Sequence, residues 1–337
     1  MNNINEYISD LTNNKDLSKR DTINAFNIIM DGKATDLQIG AFLTSLKTKG
    51  ESVNEITGGA IVLRNNMKSI EAPASTIDIV GTGGDSKGTF NISTTSAIIV
   101  AACGVPVAKH GNKAVSSNSG AADVLKELGI NINLSIDKIS ECIKATNIAF
   151  LNAPNHHPTM KYVAPIRNEL KIRTIFNILG PLANPAKVDR QLTGVFSKDL
   201  VEPITEVLKE LNFKNAWVVH GMDGMDEITT TDLTYVNELK NGKINKFYIK
   251  PEDFEISRSK PSDLVGGDPS LNATALKELL KGKVSPYRDI VLLNSGASLK
   301  VSGIVNDIRQ GIEIAKNIID SGKAIRCLES LIKFTND

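Results

Sequence analysis

The sequence predicts an α/β protein in which a small N-terminal helical bundle precedes a large α/β domain with a mostly parallel central sheet. Residues 1–72 carry only helical periodicity in their apolar positions. From Thr76 onward, short β-branched runs alternate with helix-like segments, as in sheets whose parallel strands are joined by helices. The proline-containing segment 71–74 divides the chain into a helical domain, residues 1–72, and an α/β domain, residues 73–337.

The N-terminal helices are predicted from apolar spacing and from capping residues. Four apolar residues fall at i, i+3, i+4 and i+7, on one face of a helix: Ile4, Tyr7, Ile8 and Leu11. Further helix starts show a hydroxyl residue followed three positions later by an acid or a glutamine. These pairs are Ser18 with Asp21, Thr35 with Gln38, and Ser52 with Glu55. We expect the apolar stripes behind them to pack together into a small bundle.

The remaining elements follow from the change of period and from turn residues. We expect strands at residues 77–80, 105–108, 148–151 and 216–219, and one more between helices at 121–128 and 136–145. Further helices are expected at residues 94–103, 273–280, 307–319 and 323–333. Asn241 and Gly242 separate two apolar runs, 234–239 and 244–249, which predicts a β-hairpin at the edge of the sheet.

Composition and charge exclude several classes of protein. The 337 residues carry a net charge of +1, so no overall field favours nucleic acid or a membrane surface. The longest apolar run, residues 97–103, is too short to cross a bilayer, and the polar N-terminus is no secretory signal. The 3 cysteines are far apart and lack metal-ligand spacing. We therefore expect a cytoplasmic protein that binds neither nucleic acid nor membranes.

Two polar loops leave neighbouring strands and indicate a phosphate site. Residues 81–85 are rich in glycine, whose backbone N–H groups form a concave anion site, and the helix that follows begins near Asn91. Residues 109–120 contain two lysines and three serines directly after the next strand. Open α/β sheets bind ligands at such strand ends. The structural alternatives are a glycine turn with a capped helix and a solvated surface lysine at Lys109.

Two later segments carry further polar groups. Residues 155–161 contain two adjacent histidines and lead to Arg167, and arginine captures carboxylates with two hydrogen bonds. Residues 220–227 follow another strand and end in adjacent carboxylates, Asp226 and Glu227. Magnesium takes one or two carboxylates together with substrate phosphates. An acidic turn without a metal is the structural alternative.

Seven motifs together resemble the anthranilate phosphoribosyltransferase family, in the family's order and at suitable spacing. They are residues 81–85, 91–94, 109–112, 156–158, 173–177, 180–185 and 226–227. The resemblance implies a helical domain on a larger α/β domain, usually a homodimer through the helical part, with Mg²⁺ as cofactor. The implied reaction joins anthranilate to the ribosyl carbon of phosphoribosyl diphosphate and releases diphosphate, the second step of tryptophan biosynthesis from chorismate. Anthranilate synthase is a further candidate partner.

The resemblance also implies roles for individual residues. Phosphoribosyl diphosphate is bound by Gly81, Gly84, Asp85, Thr89, Asn91, Ser93, Thr94, Lys109, His110, Gly111, Asn112, Lys113, Ala114, Val115, Ser116, Ser117 and Ala121. Anthranilate is contacted by Gly81, Asn112 and Arg167, with His110 and His157 close by. Magnesium is held by Ser93, Asp226 and Glu227. No residue is assigned as a general acid or base.

One residue departs from the family pattern, since Ala121 stands where many relatives carry serine. Its methyl group cannot make the charge-assisted hydrogen bond to phosphate that a serine hydroxyl can make. Backbone donors can replace that bond.

Two other functions are weighed against the transferase. A pyrimidine nucleoside phosphorylase shares the general architecture, but its lysine loop usually differs from the sequence at residues 109–112, and the doubled carboxylate favours diphosphate and metal. A non-catalytic relative that binds nucleic acid or a phosphosugar should have lost site positions and gained basic charge, whereas the net charge here is only +1.

Overall fold

The computed structural model describes residues 3–113 and 119–337 and opens with four helices. These are α1 (Ile4–Thr12), α2 (Lys19–Met30), α3 (Asp36–Lys49) and α4 (Val53–Asn66). Thr35 and Ser52 head complete capping boxes, as predicted, while Ser18 accepts a hydrogen bond from the backbone of Asp21. Because these caps satisfy N–H groups that a helix leaves free, they define where each helix begins.

The four helices pack around a shared apolar centre. Phe26 of α2 meets Phe42 of α3 edge to face, with ring centroids 5.8 Å apart. Such pairs add to the stabilisation from buried area alone. Phe26 also contacts Phe176 of the α/β region, at a centroid distance of 5.8 Å. The bundle therefore packs directly against the part of the molecule that carries the predicted site.

A seven-stranded sheet forms the centre of the α/β region. Its strands are β1 (Ile77–Gly81), β2 (Val107–Gly111), β3 (Ile148–Asn152), β4 (Arg190–Gly194), β5 (Asn215–Gly221), β6 (Thr234–Lys240) and β7 (Lys243–Ile249). Their order is β3-β2-β1-β4-β5-β6-β7. The first five are parallel, and β6 and β7 are antiparallel additions at one edge. The predicted fold class and the edge hairpin are both confirmed.

Helices cover the sheet and complete the chain. They are α5 (Ile92–Ala102), α6 (Ala121–Glu127), α7 (Ile136–Thr146), α8 (Ala153–His156), α9 (Ala164–Leu170), α10 (Phe176–Leu179), α11 (Val201–Glu210), α12 (Pro269–Leu280), α13 (Pro286–Ser302), α14 (Ile308–Asp320) and α15 (Lys323–Asn336). Short 3₁₀ turns lie at Pro158–Tyr162, Gly180–Leu182, Lys198–Leu200, Pro251–Phe254 and Pro261–Leu264. Within the described ranges, no helix is long and apolar enough to cross a membrane.

One predicted strand is wrong, because residues 128–135 contain no strand. The backbone N–H of Asn133 donates to the side chain of Asn131, a local turn that competes with sheet pairing. The N–H of Asn131 donates to Thr335 Oγ1 of α15 rather than to a neighbouring strand. Ile130 and Ile132 are still buried, so the apolar alternation reflects packing under the C-terminal helix.

Four strands of the parallel region share a feature at their carboxyl ends. β1, β2, β4 and β5 each end in glycine, at Gly81, Gly111, Gly194 and Gly221. Since these strands are parallel, their carboxyl ends lie along one edge of the sheet, where ligands of open α/β sheets bind. The loops after β1, β2 and β5 are three of the polar segments singled out in the sequence.

Candidate active site

The glycine-rich loop after β1, residues 81–85, is called the glycine loop. The loop after β5 that ends in Asp226 and Glu227, residues 222–227, is called the acidic loop. The two loops meet directly. The N–H of Gly83 donates to Asp226 Oδ2 at 2.7 Å. The N–H of Ser93, in the first turn of α5, donates to Glu227 Oε1 at 3.2 Å. Both predicted anion donors, the glycine loop and the helix N-terminus, are thus engaged by carboxylates of the acidic pair. The arrangement shows that these N–H groups point to one place and donate hydrogen bonds to negatively charged oxygens there.

Two glycines make room for this approach. A Cβ atom at Gly81 would lie 2.4 Å from Asp226 Oδ2. A Cβ atom at Gly194 would lie 1.6 Å from the backbone oxygen of Asp226. No side chain larger than hydrogen fits at either distance. Glycine at these strand ends therefore permits the acidic loop to lie on the carboxyl edge of the sheet.

The acidic loop is braced on two sides. Oδ2 of Asp223 accepts hydrogen bonds from the hydroxyls of Thr229, at 2.7 Å, and of Thr231. From the other side, Asn294 of α13 accepts from the N–H of Ile228 at 3.1 Å and donates to its carbonyl at 2.8 Å. Because Ile228 directly follows the acidic pair, this two-point contact holds the backbone that carries both carboxylates.

The electrostatics of the acidic pair favour a bound cation. Burial, and then the neighbouring Asp85 carboxylate, raises the pKa of Asp226. Burial, and then the charge of Asp226, raises the pKa of Glu227, while Lys109 opposes the rise. The carboxylates of Asp85, Asp226 and Glu227 lie close together in a half-buried place with one lysine nearby, so negative charge exceeds positive charge. The two carboxylates, and the hydroxyl of Ser93, whose backbone N–H contacts Glu227, are oxygen donors of the kind that Mg²⁺ takes.

Lys109 is buried in the middle of β2, not solvated as in the structural alternative. Its residue is only 4% exposed and its ammonium donates to the carbonyl of Ile79 at 2.7 Å. Burial lowers the pKa of Lys109, and the carboxylates of Asp78, Glu227 and Asp226 oppose that change. Among the described residues, the ammonium of Lys109 contacts a carbonyl oxygen and forms no ion pair, so it is suited to bind a phosphate.

Asp78 joins three parts of the site from beneath. This fully buried residue of β1 accepts from the N–H of His110 at 3.3 Å and from Asn184 Nδ2 at 2.7 Å. Asn184 also donates to the carbonyl of Ala108 at 2.9 Å. Burial raises the pKa of Asp78 to about 6, and Lys109 opposes the rise. The network fixes the end of β2 from which the second predicted loop departs.

The second loop is described at its two ends. The carbonyl of Asn112 accepts from the N–H of Ala122, and its side chain accepts from the N–H of Lys113. A Cβ atom at Gly111 would lie 2.8 Å from the Phe150 ring and 3.4 Å from Ala121 Cβ. Ala121 therefore stands beside the loop's start, where its role in binding stays a prediction. Ala114, Val115, Ser116 and Ser117 lie outside the described residues.

The glycine loop and the start of α5 hold the remaining predicted phosphate residues. The carbonyl of Gly84 accepts from Arg173, whose guanidinium lies 4.4 Å from the centroid of the Phe196 ring. Oδ1 of Asp85 accepts from the backbone N–H of Lys87 at 3.1 Å. Thr89 forms a bridge with Val265, and Thr94 is buried in the first turn of α5. All of them lie on the glycine loop, on the segment that joins it to α5 or in the first turn of α5.

Among the predicted anthranilate residues, the structure brings His110 and His157 together and places Arg167 beside Phe176. The rings of His110 and His157 lie 5.2 Å apart, and both residues are less than a tenth exposed. Arg167 of α9 lies 5.5 Å from the centroid of the Phe176 ring. Within residues 3–113 and 119–337, its guanidinium forms no ion pair, and burial lowers its pKa. A desolvated arginine without a carboxylate partner is suited to bind one from a ligand.

Both histidines are neutral in the folded protein. Burial, and then the neighbouring histidines, lowers the pKa of His110 well below its usual value. Burial, and then His156, lowers the pKa of His157 from 6.5 to about 4. Nε2 of His110 is buried with no hydrogen-bond partner in the part of the chain that the structure describes. It can therefore donate to, or accept from, a polar group of a ligand.

We expect His157 to weaken the fold as the pH falls from about 6.5 to about 4. In that window the unfolded chain binds a proton at His157 and the folded protein does not, so the free energy of unfolding falls by as much as ~3 kcal/mol. Urea unfolding of the wild type and of His157→Gln at several pH values measures the difference. The difference between their free energies of unfolding should change steadily across this window. If the two free energies fell in parallel with pH, a neutral, buried His157 would be contradicted.

Several supporting residues were not predicted from the sequence. Asp78 interrupts an apolar strand, and a charge in the middle of such a run is the signal that it is buried and paired. Asn294 and Tyr287 lie on α13, a helix that the sequence analysis missed. The hydroxyls of Tyr287 and Thr95 are 2.5 Å apart at the start of α5. No short sequence motif marks Asp78, Asn294 or Tyr287, because each contacts a backbone group or a buried side chain that is far away in sequence.

Comparison with known proteins places the chain. Two glycosyl transferase family models match it, the helical bundle domain at residues 5–67 and the α/β domain at residues 73–325. The anthranilate phosphoribosyltransferase of a Bradyrhizobium species is 49% identical over 336 residues, covering 100% of both chains. The chain belongs to the anthranilate phosphoribosyltransferase family. A further relative of that name, from Parvibaculum lavamentivorans, is 53% identical over 312 residues, 93% of this chain and 92% of its own.

Solved structures of anthranilate phosphoribosyltransferases share the whole architecture. That of Thermus thermophilus is 35% identical with a TM-score of 0.93, covering 98% of this chain and 99% of its own. That of Saccharomyces cerevisiae, in complex with phosphoribosyl diphosphate and Mg, is 29% identical with a TM-score of 0.91, covering 99% and 98%. The family identified from seven short motifs is thus confirmed over the full chain.

Proposed function

We propose that the chain transfers the phosphoribosyl group of 5-phosphoribosyl 1-diphosphate to the amine of anthranilate, giving N-(5-phosphoribosyl)anthranilate and diphosphate. This is the second step of tryptophan biosynthesis from chorismate. The observation that carries the proposal is the meeting of the glycine loop, the N-terminus of α5 and the acidic pair at one place. Full-length relatives that carry the name anthranilate phosphoribosyltransferase support it.

Mg²⁺ is the cofactor, and the donor set of this chain fits it. We propose that Asp226, Glu227 and the hydroxyl of Ser93 hold the ion, with substrate oxygens completing its shell. When bound, the ion neutralises charge on the leaving diphosphate. The buried excess of carboxylates supports this assignment, since without a cation the pKa of both acids is raised by burial.

The residues around the ion would hold phosphoribosyl diphosphate. We propose that the N–H groups of the glycine loop and of the first turn of α5 bind the diphosphate, and that Lys109 adds a positive charge. The proposed set contains Gly81, Gly84, Asp85, Thr89, Asn91, Ser93, Thr94, residues 109–117 and Ala121. The N–H groups of Gly83 and Ser93 already point to this place, and they would become free for the diphosphate when Asp226 and Glu227 turn from them to the ion.

Anthranilate would lie on the side of Arg167 and the two histidines. We propose that Arg167 binds its carboxylate, with Gly81, Asn112, His110 and His157 around the ring. The amine of anthranilate is neutral at pH 7, so no general base is needed and none is assigned. Positioning the amine against the ribosyl carbon supplies several kcal/mol by itself.

We expect Arg167→Ala to raise the KM for anthranilate at least about 10-fold, because a charge-assisted hydrogen bond contributes roughly 1.5–3 kcal/mol. The KM for phosphoribosyl diphosphate should change less than about 2-fold. Steady-state kinetics with each substrate varied in turn measure both constants. Arg190→Ala is the control, since Arg190 is also half-buried but lies at the amino end of β4. Equal changes in the two constants would refute the carboxylate contact.

The reaction itself is tested by the loss of anthranilate fluorescence. Purified protein, phosphoribosyl diphosphate and Mg²⁺ should consume anthranilate rapidly, and omission of Mg²⁺ should stop the loss. A folded protein that leaves the fluorescence unchanged would overturn the proposal. Uridine or thymidine with phosphate would then test the nucleoside phosphorylase alternative, which no feature of the described residues favours.

Domain division, assembly and location are also proposed. We place the boundary between residues 72 and 73, and the separate family matches at 5–67 and 73–325 support it. The helical bundle is proposed as the interface of a homodimer in the cytoplasm. Contact with anthranilate synthase is proposed as a transient association. Light scattering of the protein alone would test the homodimer, and light scattering with anthranilate synthase would test that contact.

A further inference from the structure

A short segment far along the chain pairs with the end of the glycine loop. The N–H of Gly266 donates to the carbonyl of Gly88 at 2.8 Å, and the N–H of Phe90 donates to the carbonyl of Leu264 at 3.1 Å. Residues 264–267 therefore run antiparallel to residues 88–90, and we refer to them as the strap. A Cβ atom at Gly266 would lie 2.9 Å from the carbonyl oxygen of Thr89, so the strap lies close against this segment.

Asn272, in the first turns of α12, joins the strap to Asn91. Its Oδ1 accepts from the N–H of Gly267 at 2.8 Å. Its Nδ2 donates to Asn91 Oδ1 at 3.0 Å. Asn272 is only 2% exposed, and so its amide is removed from water and depends on these partners.

The direction of both amide groups follows from backbone chemistry. A backbone N–H can only donate, so the atom of Asn272 that faces Gly267 is its oxygen and its Nδ2 faces Asn91. Asn91 must then present its oxygen to Asn272, which directs its own Nδ2 to the carbonyl of Ser119 at 3.3 Å. A carbonyl can only accept, so the relay is consistent from both ends.

We propose that Asn272 is a positioning residue for phosphoribosyl diphosphate. It acts by fixing the amide of Asn91, so that one N–H holds Ser119, at the end of the second loop, and the other stays available to the substrate. The inference rests on the proposed function, since it needs Asn91 to bind that substrate. Asn272 touches the glycine-loop side of the site and has no contact with Arg167 or His157 among the hydrogen bonds of the described residues.

Asn272→Asp separates the two contacts of the residue. Aspartate keeps an oxygen for the N–H of Gly267 but presents a second oxygen to Asn91. The amide of Asn91 must then turn over, which sets its oxygen against the carbonyl of Ser119. We expect the KM for phosphoribosyl diphosphate to rise at least about 10-fold while the KM for anthranilate stays within about 2-fold. Calorimetry with phosphoribosyl diphosphate and Mg²⁺, without anthranilate, should show the same loss of affinity.

Three further proteins make the result specific. Asn272→Ala carries no buried charge and should show the same split if the aspartate variant does not fold. Asp268→Ala is the control. Asp268 caps α12 through the N–H of Leu271 at 2.8 Å and takes no part in the relay, so loosening the helix alone should change the two KM values equally. Asn91→Ala combined with Asn272→Ala should cost less than the two single changes added, because both act through one amide.

The outcomes are distinguishable. A wild type that does not consume anthranilate overturns the proposed function. A wild type that does so, with Asn272 variants whose two KM values change equally or not at all, overturns the positioning role. Additive effects of the Asn91 and Asn272 changes would also overturn it. A raised KM for phosphoribosyl diphosphate alone, with non-additive effects, supports it.

Discussion

Replacing both acids of the metal-binding pair, Asp226→Asn with Glu227→Gln, should lower kcat by about 10³-fold. Stabilisation of the leaving diphosphate by a bound ion contributes several kcal/mol, and amides are poor ligands for Mg²⁺. The side chains keep their size and can still accept from the N–H groups of Gly83 and Ser93, so the fold should persist. Anthranilate fluorescence at a series of Mg²⁺ concentrations measures the loss, and calorimetry with Mg²⁺ and phosphoribosyl diphosphate measures binding directly.

A charge-matched control separates metal binding from net charge. Asp199→Asn with Glu206→Gln removes the same two charges at exposed positions and should leave turnover unchanged. Near-normal activity of the first double variant at limiting Mg²⁺ would eliminate the proposed role of Asp226 and Glu227. An unfolded variant would be recognised by circular dichroism before any kinetic conclusion is drawn.

Gly194→Ala should have the second large effect, on stability and on activity together. The new methyl group would lie 1.6 Å from the backbone oxygen and 2.3 Å from the backbone carbon of Asp226, and a backbone cannot rotate away as a side chain can. Overpacking of this kind costs about 1–3 kcal/mol or more. We expect a lower melting temperature, and turnover reduced at least about 100-fold because the acidic loop must leave its position.

Gly81→Ala provides a graded comparison at the same edge of the sheet. Its methyl group would meet Asp226 Oδ2 at 2.4 Å, a side-chain atom that can move. It should therefore cost less stability than Gly194→Ala while still impairing Mg²⁺ dependence. Gly40→Ala in α3, whose methyl group would lie 3.8 Å from Ile166 Cγ2, should be harmless. Wild-type turnover and melting in Gly194→Ala would show that the acidic loop does not lie on β4.

The elements predicted best from sequence are those whose period or turn residues are local. The capping pairs at Thr35 and Ser52 and the hairpin at Asn241 depend on neighbours within a few positions. By contrast, β4 was missed although it lies at the centre of the sheet. Its residues include Arg190 and Gln191, and the burial of Gln191 depends on a hydrogen bond to the carbonyl of Pro181. Because arginine, glutamine and threonine make up three of its five residues, the strand shows no apolar run.

α13 was missed for a related reason. It is 17 residues long and is buried on nearly all sides, from Tyr287 to Val301. A helix surrounded by protein has no polar face, so its apolar residues show no helical period. The same holds for the site. Loops at strand ends were recognised from residue type, whereas Asn272 and Asn294 act through contacts 181 and 66 positions away in sequence, which only the fold brings together.

The bracing of the acidic loop by α13 bears on how the enzyme emerges from the ribosome. Glu227 is synthesised well before Asn294, whose amide holds the adjoining Ile228. Domains generally fold as units while the chain lengthens from its N-terminus. The helical bundle can therefore form early, whereas the catalytic edge of the sheet must wait for α13. A nascent chain that has completed all seven strands would still be inactive.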